Sequence, residues 1–175
     1  IKKMKALPIG AITPIVLSLQ PREKLSDLLA TDATATFDMV GDGRANTWPW
    51  LKPDAAFLVW DPHQRGRITS GQQLFGSVTF WLTWKDGYAA MDSLDDNRDG
   101  ELAGKELKGL ALWFDRNANG RSDTGEVVPI EQTDIAALAT RATGRDGESP
   151  MNAAGLRLQN GQTLPTWDWV VEAVK

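Results

Sequence analysis

The stretch that decides the predicted fold is a twelve-residue loop, Asp95-Asp-Asn-Arg-Asp-Gly-Glu-Leu-Ala-Gly-Lys-Glu106. Oxygen-bearing side chains recur at its positions 1, 3, 5 and 12, and the glycine at position 6 lets the chain turn sharply. Calcium takes about six to eight hard oxygen ligands, and this spacing wraps such oxygens around one ion. We therefore expect a calcium site whose ligands are Asp95, Asn97, Asp99, the backbone carbonyl of Glu101, and Glu106 through both carboxylate oxygens.

A second loop repeats the pattern as Asp115-Arg-Asn-Ala-Asn-Gly-Arg-Ser-Asp-Thr-Gly-Glu126. Asn, Asp and Gly are common in ordinary turns. However, two copies that start 20 residues apart, both with Gly at position 6 and Glu at position 12, favour a metal site over ordinary turns. The predicted ligands are Asp115, Asn117, Asn119, the carbonyl of Arg121, Asp123 through a water, and Glu126.

The two loops, 95–106 and 115–126, carry formal charges of −3 and −1, which together equal the −4 of the whole chain. Two Ca²⁺ ions, one in each loop, would offset this charge. The first loop offers three direct carboxylate ligands and the second offers two, so we expect the first to bind calcium more tightly. Magnesium is the weaker candidate because it resists a cage of about seven protein oxygens.

Only the segment 107–114 separates the loops, which leaves room for one helix and not two. The spacing therefore predicts one shared helix between the loops, with 88–94 as the helix that enters the first loop. The predicted fold is mainly α with short β elements (α+β): an EF-hand-like helix-loop-helix pair that shares a central helix, plus a C-terminal β-hairpin. The buried face of the shared helix would carry Leu107, Leu110, Ala111 and Phe114.

Three segments are expected along the chain. Residues 1–37 would be an N-terminal extension, with a leading edge strand and loop within 7–19 and a short amphipathic helix over 22–30. Residues 38–140 would form the calcium-binding domain. Residues 141–175 would add a loop and a hairpin that turns at Asn160-Gly161, a strong hairpin signal.

Two upstream segments, 38–49 and 61–72, are degenerate versions of the loop. In the second, His63 and Arg65 stand at positions 3 and 5 and Gln72 at position 12. A guanidinium in place of a carboxylate would repel calcium, so we expect fold elements that bind no metal. Alternatively, Arg65 fills the place of the ion.

The composition argues against several functional classes. The chain has no cysteine and a single histidine, so thiol chemistry is excluded and a catalytic triad could form only around His63. Since no nucleophile–base pair or phosphate-binding loop can be named, we expect no enzymatic activity. The net charge of −4 argues against nucleic acid as a partner. No run of 18 apolar residues could form a transmembrane segment.

Tryptophan is abundant, with 8 Trp against 1 Tyr and 5 Phe. We expect about five of the eight to lie in the core. The paired indoles of 80–84 and 167–169 would then mark an interface, because exposed Trp clusters are typical of protein contact surfaces.

The calcium loops, together with Phe37-Asp38 through Asp42-Gly43, Trp48 and Trp50, 57–61 and Gly71-Gln-Gln-Leu-Phe-Gly76, resemble a known family over about residues 12–140. It comprises the EF-hand-type calcium-binding domains of bacterial secreted and surface proteins, often found beside haemolysin-type repeats. The chain departs from it at 14–19, which lacks acidic residues, and at 61–72, which lacks ligands. The resemblance implies an extracytoplasmic, periplasmic or secreted bacterial protein.

The function expected from these features is that of a calcium-binding, non-enzymatic interaction module. Its two structural Ca²⁺ ions would stabilise a domain that docks onto protein partners as an accessory subunit of a membrane-associated or surface complex. A calcium sensor or regulatory protein is one alternative, although such sensors expose Met-rich surfaces and this chain has only 4 Met. A dockerin-like partner-binding module is another.

Overall fold

The computed structural model describes residues 12–175; residues 1–11, where the predicted N-terminal extension begins, lie outside the described part. The described chain is built mainly of β-strands, with one α-helix, α1 (Gly87–Asp92). Short 3₁₀ turns span Leu25–Asp27, Gly71–Gln73, Thr79–Trp81, Gly104–Leu107 and Ile130–Gln132. The strands are β1 (Ile15–Ser18), β2 (Leu29–Phe37), β3 (Asn46–Leu51), β4 (Ala55–Trp60), β5 (Glu101–Ala103), β6 (Leu110–Trp113), β7 (Val127–Pro129), β8 (Ile135–Ala139), β9 (Gly144–Asp146), β10 (Ser149–Leu158) and β11 (Thr163–Asp168).

Nine strands form one antiparallel sheet in the order β5-β8-β10-β11-β1-β4-β6-β7, with β9 paired to β10 beside this path. The strands β2 and β3 form a separate antiparallel hairpin. Strand β1 pairs with β11 on one side and with β4 on the other, through Ile15 opposite Asp168 and Val16 opposite Phe57. The edge strand expected within 7–19 is therefore a central strand, which joins the two ends of the described chain.

Both faces of the sheet are buried around β1, β4 and β6, which explains why these three strands are almost entirely apolar. The β2–β3 hairpin covers one face, where Trp50 is fully buried. Helix α1 covers part of the other face, where Tyr88 is 2% exposed. Because side chains alternate along a strand, each central strand contributes to both cores. In β4, Phe57 and Val59 face the hairpin, and Ala56 and Leu58 face the helical side.

The predicted mainly α fold, with its EF-hand helix-loop-helix pair and shared helix, is wrong. The segment 107–114 ends the 3₁₀ turn Gly104–Leu107 and then forms strand β6. Gly109, at φ +93°, breaks the segment between turn and strand. The spacing of the apolar residues in this segment fits one face of a helix, but Leu112 and Trp113 are fully buried as well. A strand between two cores buries every residue of β6, because its side chains alternate between the two faces of the sheet. A short apolar run cannot by itself distinguish the two structures.

Three further predictions concern single elements: two helices and the C-terminal hairpin. The predicted helix over 22–30 is only the 3₁₀ turn Leu25–Asp27, after which the chain enters β2. The helix expected at 88–94 is present as α1. The C-terminal hairpin is confirmed, since β10 pairs with β11 across a turn that contains Gly161 at φ +88°.

Five tryptophans lie in the core, which is the expected number; they are Trp48, Trp50, Trp113, Trp167 and Trp169, each at most 4% exposed. The expected interface role of the indoles at 167–169 is therefore wrong, because both are core residues. No helix within residues 12–175 is long and apolar enough to cross a bilayer.

Candidate functional site

Four turns of the chain share one hydrogen-bonded conformation, each built around an aspartate. In every case one carboxylate oxygen accepts the backbone N–H four residues later, and the other oxygen accepts the N–H five residues later. For Asp115 these distances are 3.1 Å to Asn119 N and 2.8 Å to Gly120 N. The equivalent turns begin at Asp38, Asp61 and Asp95.

The backbone path of the four turns is also the same. The residue three positions after each aspartate has a positive φ, and so does the glycine five positions after it. In the first acidic loop (95–106) these are Arg98 at +59° and Gly100 at +91°. Glycine adopts such angles at little cost, whereas other residues are strained there. The other pairs are Gly41 and Gly43, Gln64 and Gly66, and Ala118 and Gly120.

The first acidic loop closes through its last residue. The Glu106 carboxylate accepts N–H bonds from Asp96 at 2.9 Å and from Ala103 at 3.2 Å, so it lies across the mouth of the loop. Asp95 is buried at 7% exposure, while Asn97 and Asp99 are exposed. The loop thus holds the carboxylates of positions 1 and 12 by backbone hydrogen bonds and leaves the residues at positions 3 and 5 exposed.

The second acidic loop (115–126) closes in the same way, through N–H bonds from Arg116 at 2.9 Å and Asp123 at 3.0 Å to Glu126. It is more deeply seated, because Asp115 and Glu126 are only 4% and 5% exposed. Burial raises the pKa of Asp115, although the N–H groups of Gly120 and Asn119 donate to its carboxylate.

A buried indole also holds Asp115. Trp50 Nε1 of strand β3 donates to Asp115 Oδ2 at 2.7 Å, across the core between hairpin and sheet. This contact joins the loop to the β2–β3 hairpin. The sequence gives no sign of it, since the two residues are 65 positions apart.

Side-chain amides occupy part of each acidic loop. Asn97 Nδ2 donates to Asp99 at 2.9 Å. In the second loop, Asn117 and Asn119 donate to Asp123, and these two bonds hold the pKa of Asp123 below its usual value. Within residues 12–175 no three Asp, Glu, His or Cys side chains gather as a metal-ligand group. The second loop is also flanked by the strands β6 and β7 and not by helices. The prediction of an EF-hand is therefore wrong.

Position 8 joins each loop to a different neighbour. In the first loop, Leu102 belongs to β5 and pairs with Leu138 of β8. In the second loop, Ser122 Oγ accepts the N–H of Ile68, which is position 8 of the degenerate segment 61–72, at 2.8 Å. The two acidic loops are therefore not partners of one another.

The degenerate segments are built into the same end of the molecule. Asp61 is capped by the backbone N–H groups of Arg65 and Gly66. The Gln72 side chain donates to the carbonyl of Gly41 at 2.7 Å, so the segments 38–49 and 61–72 are linked. Arg65 itself is exposed.

A cleft of about 1200 Å³ lies where the turns that begin at Asp38, Asp61 and Asp115 meet. Its walls include Arg65, Arg67 and Arg121, and one side is formed by strand β7. Sequence reasoning missed this cleft because it depends on which loops the sheet brings together.

The sequence model of the SPM domain matches residues 23–169. The chain belongs to the SPM domain family. The match includes both acidic loops, both degenerate segments and every strand except β1. No curated protein matches this SPM domain in a sequence comparison.

Proposed function

We propose that this SPM domain is a calcium-binding, non-enzymatic interaction module, in which two structural Ca²⁺ ions stabilise a domain that docks as an accessory subunit of a larger extracytoplasmic assembly. The observation that carries the calcium proposal is the common closure of the two acidic loops. In each, backbone N–H groups fix the carboxylates of positions 1 and 12, which are the residues that calcium needs at the two ends of a twelve-residue loop.

The donor set fits calcium chemically. The candidate ligands of the two loops are carboxylate, amide and carbonyl oxygens, which hard cations prefer. Asn97, Asn117 and Asn119 can present oxygen in place of nitrogen by rotation of the side-chain amide, and a bound cation would favour that orientation. The first loop would use Asp95, Asn97, Asp99, the Glu101 carbonyl and Glu106. The second would use Asp115, Asn117, Asn119, the Arg121 carbonyl, Glu126 and, through a water, Asp123.

A structural role is favoured over a sensor role by the way the second loop is seated. It is bonded to Trp50 in the hairpin and to Ile68 in the degenerate segment, so an ion there would fasten several parts of the chain. A sensor would need an apolar groove to open, and Met39 and Met91 are both fully buried in separate cores.

Docking is supported by an exposed apolar pair on a strained turn. Trp81 is 83% exposed and Leu82 is 55% exposed. Phe80 and Trp81 have φ of +58° and +64°, a conformation that is costly for bulky residues. Such strain collects at binding sites. The sequence resemblance to calcium-binding domains of bacterial secreted proteins supports the extracytoplasmic location.

Thermal unfolding in chelator and in calcium tests the proposal. Calcium binding to the native state alone stabilises it, by about 2.7 kcal/mol per site at a hundredfold excess over Kd. We expect a higher Tm in calcium, with part of the increase lost in Glu106→Gln and part in Glu126→Gln. Glu148→Gln, an exposed acidic residue outside the loops, is the matched control and should keep the full increase.

Calorimetric titration of the same variants counts the ions. We expect two sites, with the tighter one lost in Glu106→Gln. An unchanged Tm and no heat of binding would contradict the calcium proposal. A calcium-loaded protein that melts as in chelator but exposes new apolar surface would favour the sensor alternative.

A further inference from the structure

Three arginines line the cleft between the turns that begin at Asp38, Asp61 and Asp115. They are Arg65 and Arg67 from the degenerate segment 61–72 and Arg121 from the second acidic loop. All three are exposed. Within residues 12–175, none of their guanidinium groups forms an ion pair or a side-chain hydrogen bond. Four basic side chains elsewhere in these residues do form salt bridges.

The position of Arg65 in its turn shows whether its guanidinium replaces a bound ion or is available to a ligand. It stands at position 5 of a turn whose Asp61 carboxylate would be the natural partner for a cation. That carboxylate is instead satisfied by the backbone N–H groups of Arg65 and Gly66, at 3.0 and 2.8 Å. Within residues 12–175 the Arg65 guanidinium forms no ion pair with Asp61, so it does not fill the place of an ion, and its donors remain available to a ligand in the cleft.

Calcium would change the charge balance of this cleft. Its charged lining residues are the three arginines and the aspartates Asp38, Asp61 and Asp123, so the formal charges cancel. The carboxylates of Asp38 and Asp61 are occupied by backbone N–H bonds, and that of Asp123 by two side-chain amides. Asp115 and Glu126 of the second loop, which do not line the cleft, add a charge of −2 beside it, and one Ca²⁺ bound in that loop would cancel this charge.

We propose that this cleft binds an acidic segment of a protein partner, with Arg65, Arg67 and Arg121 as the groups that recognise its carboxylates. The guanidinium fork matches a carboxylate through two parallel hydrogen bonds. A volume of about 1200 Å³ accommodates a short peptide. Half-buried Val127 and Pro129 on the β7 wall supply apolar contact for its backbone and side chains. The calcium dependence of this binding rests on the proposed function.

A long nucleic acid fits this surface less well than a peptide does. The chain as a whole carries −4, and the three arginines are grouped in one concave site rather than along a stripe. Polyanions need several phosphate contacts for affinity and gain them from extended basic surfaces.

Fluorescence anisotropy with a labelled hexaglutamate peptide tests the inference on the full chain. In calcium we expect saturable binding that weakens about three- to tenfold in Arg65→Gln/Arg121→Gln, since two exposed ionic contacts are lost. Lys108→Gln/Arg145→Gln removes the same charge from two exposed side chains outside the cleft that form no salt bridge within residues 12–175, and should bind as the unsubstituted protein does. A hexathymidylate strand serves as the competing ligand class.

The calcium titration of each sample is measured separately, so that the two proposals can fail independently. Calcium binding without peptide binding would overturn the cleft assignment alone. Equal weakening in both double variants, or binding of the thymidylate strand but not of the peptide, would overturn it as well. Peptide binding that is equal in calcium and in chelator, in a protein that does bind calcium, would disprove the charge mechanism.

Discussion

Asp168 is a carboxylate enclosed by the sheet and α1, and it is fully buried. Gly87 N–H donates to Oδ2 at 3.0 Å, whereas Oδ1 has no hydrogen-bond partner within residues 12–175. Burial raises its pKa well above the usual value, and nearby Asp86 acts in the same direction. An acid with a raised pKa contributes stability that is complete below its unfolded pKa of about 3.9 and is lost as pH rises through the folded value.

Replacing Asp168 by Asn should therefore flatten the pH dependence of stability. We expect the free energy of unfolding of the unsubstituted protein to fall as pH rises above about 4. Asp168→Asn should lose less stability over that range, and Asp32→Asn, at an exposed position, should follow the unsubstituted protein. Urea unfolding at intervals of pH measures this. If the free energy of unfolding changed with pH in the same way for all three proteins, burial would not raise the pKa of Asp168.

The contact between Trp50 and Asp115 predicts a positioning role for a core indole. Trp50→Phe removes the N–H that orients the Asp115 carboxylate, and loss of such outer contacts typically weakens metal binding about 10- to 100-fold. Trp48→Phe is the matched control, because that indole is equally buried but donates to the carbonyl of Phe37. Calcium titration in a Glu106→Gln background isolates the second loop. Equal affinities in the two variants would contradict the role.

At the scale of the elements, the two acidic loops share a backbone but differ in surroundings. Gly100 and Gly120 both stand at position 6 with positive φ. A Cβ on Gly120 would lie 2.3 Å from the carbonyl oxygen of Thr36 in β2, whereas one on Gly100 would meet nothing closer than 3.9 Å. The second loop is thus pressed against the hairpin, and the first is not.

This difference predicts unequal costs for one substitution. Gly100→Ala should lower the free energy of unfolding by about 1 kcal/mol, from backbone strain alone. Gly120→Ala should cost about 1–3 kcal/mol more, because β2 must shift to admit the methyl group. Chemical denaturation of both variants in chelator compares them without the contribution of calcium. Similar costs would mean that the loop and the hairpin are not in firm contact.

The local chemistry of these elements was predictable, and their context was not. An aspartate followed five residues later by glycine specifies a turn through contacts of neighbouring residues, so the loops occur where the sequence places them. The segment 107–114 has no such local signal. Leu110 and Leu112 become strand residues because β4 and β7 lie on either side, and the sequence does not state that pairing. The Asp115–Trp50 contact and the cleft depend on the same long-range pairing.

For the molecule as a whole, the two calcium loops would stabilise different regions. The first is joined to β8 through Leu102 and through the N–H of Thr140, which donates to the Gly100 carbonyl at 2.9 Å. The second contacts the β2–β3 hairpin and the segment 61–72. An ion in either loop should therefore protect its own neighbours from local opening.

Hydrogen exchange in calcium should resolve these two regions. We expect Glu106→Gln to speed amide exchange in β5 and β8, and Glu126→Gln to speed it in β2 and β3. Peptide-level mass spectrometry separates the four strands, and β1 and β11, which pair with none of them, provide an internal reference away from both loops. Identical exchange patterns in the two variants would show that the loops stabilise the sheet as one unit.

The fourfold recurrence of the aspartate turn has an evolutionary consequence. Because the backbone N–H groups and glycines set the path of the turn, the side chains at its third and fifth positions are free to vary without refolding. In the 61–66 turn, His63 and Arg65 occupy those positions on the same backbone that carries Asn97 and Asp99 in the first loop. A lineage could therefore exchange a cation ligand for an anion-recognising group, or the reverse, by point mutation at a preformed template.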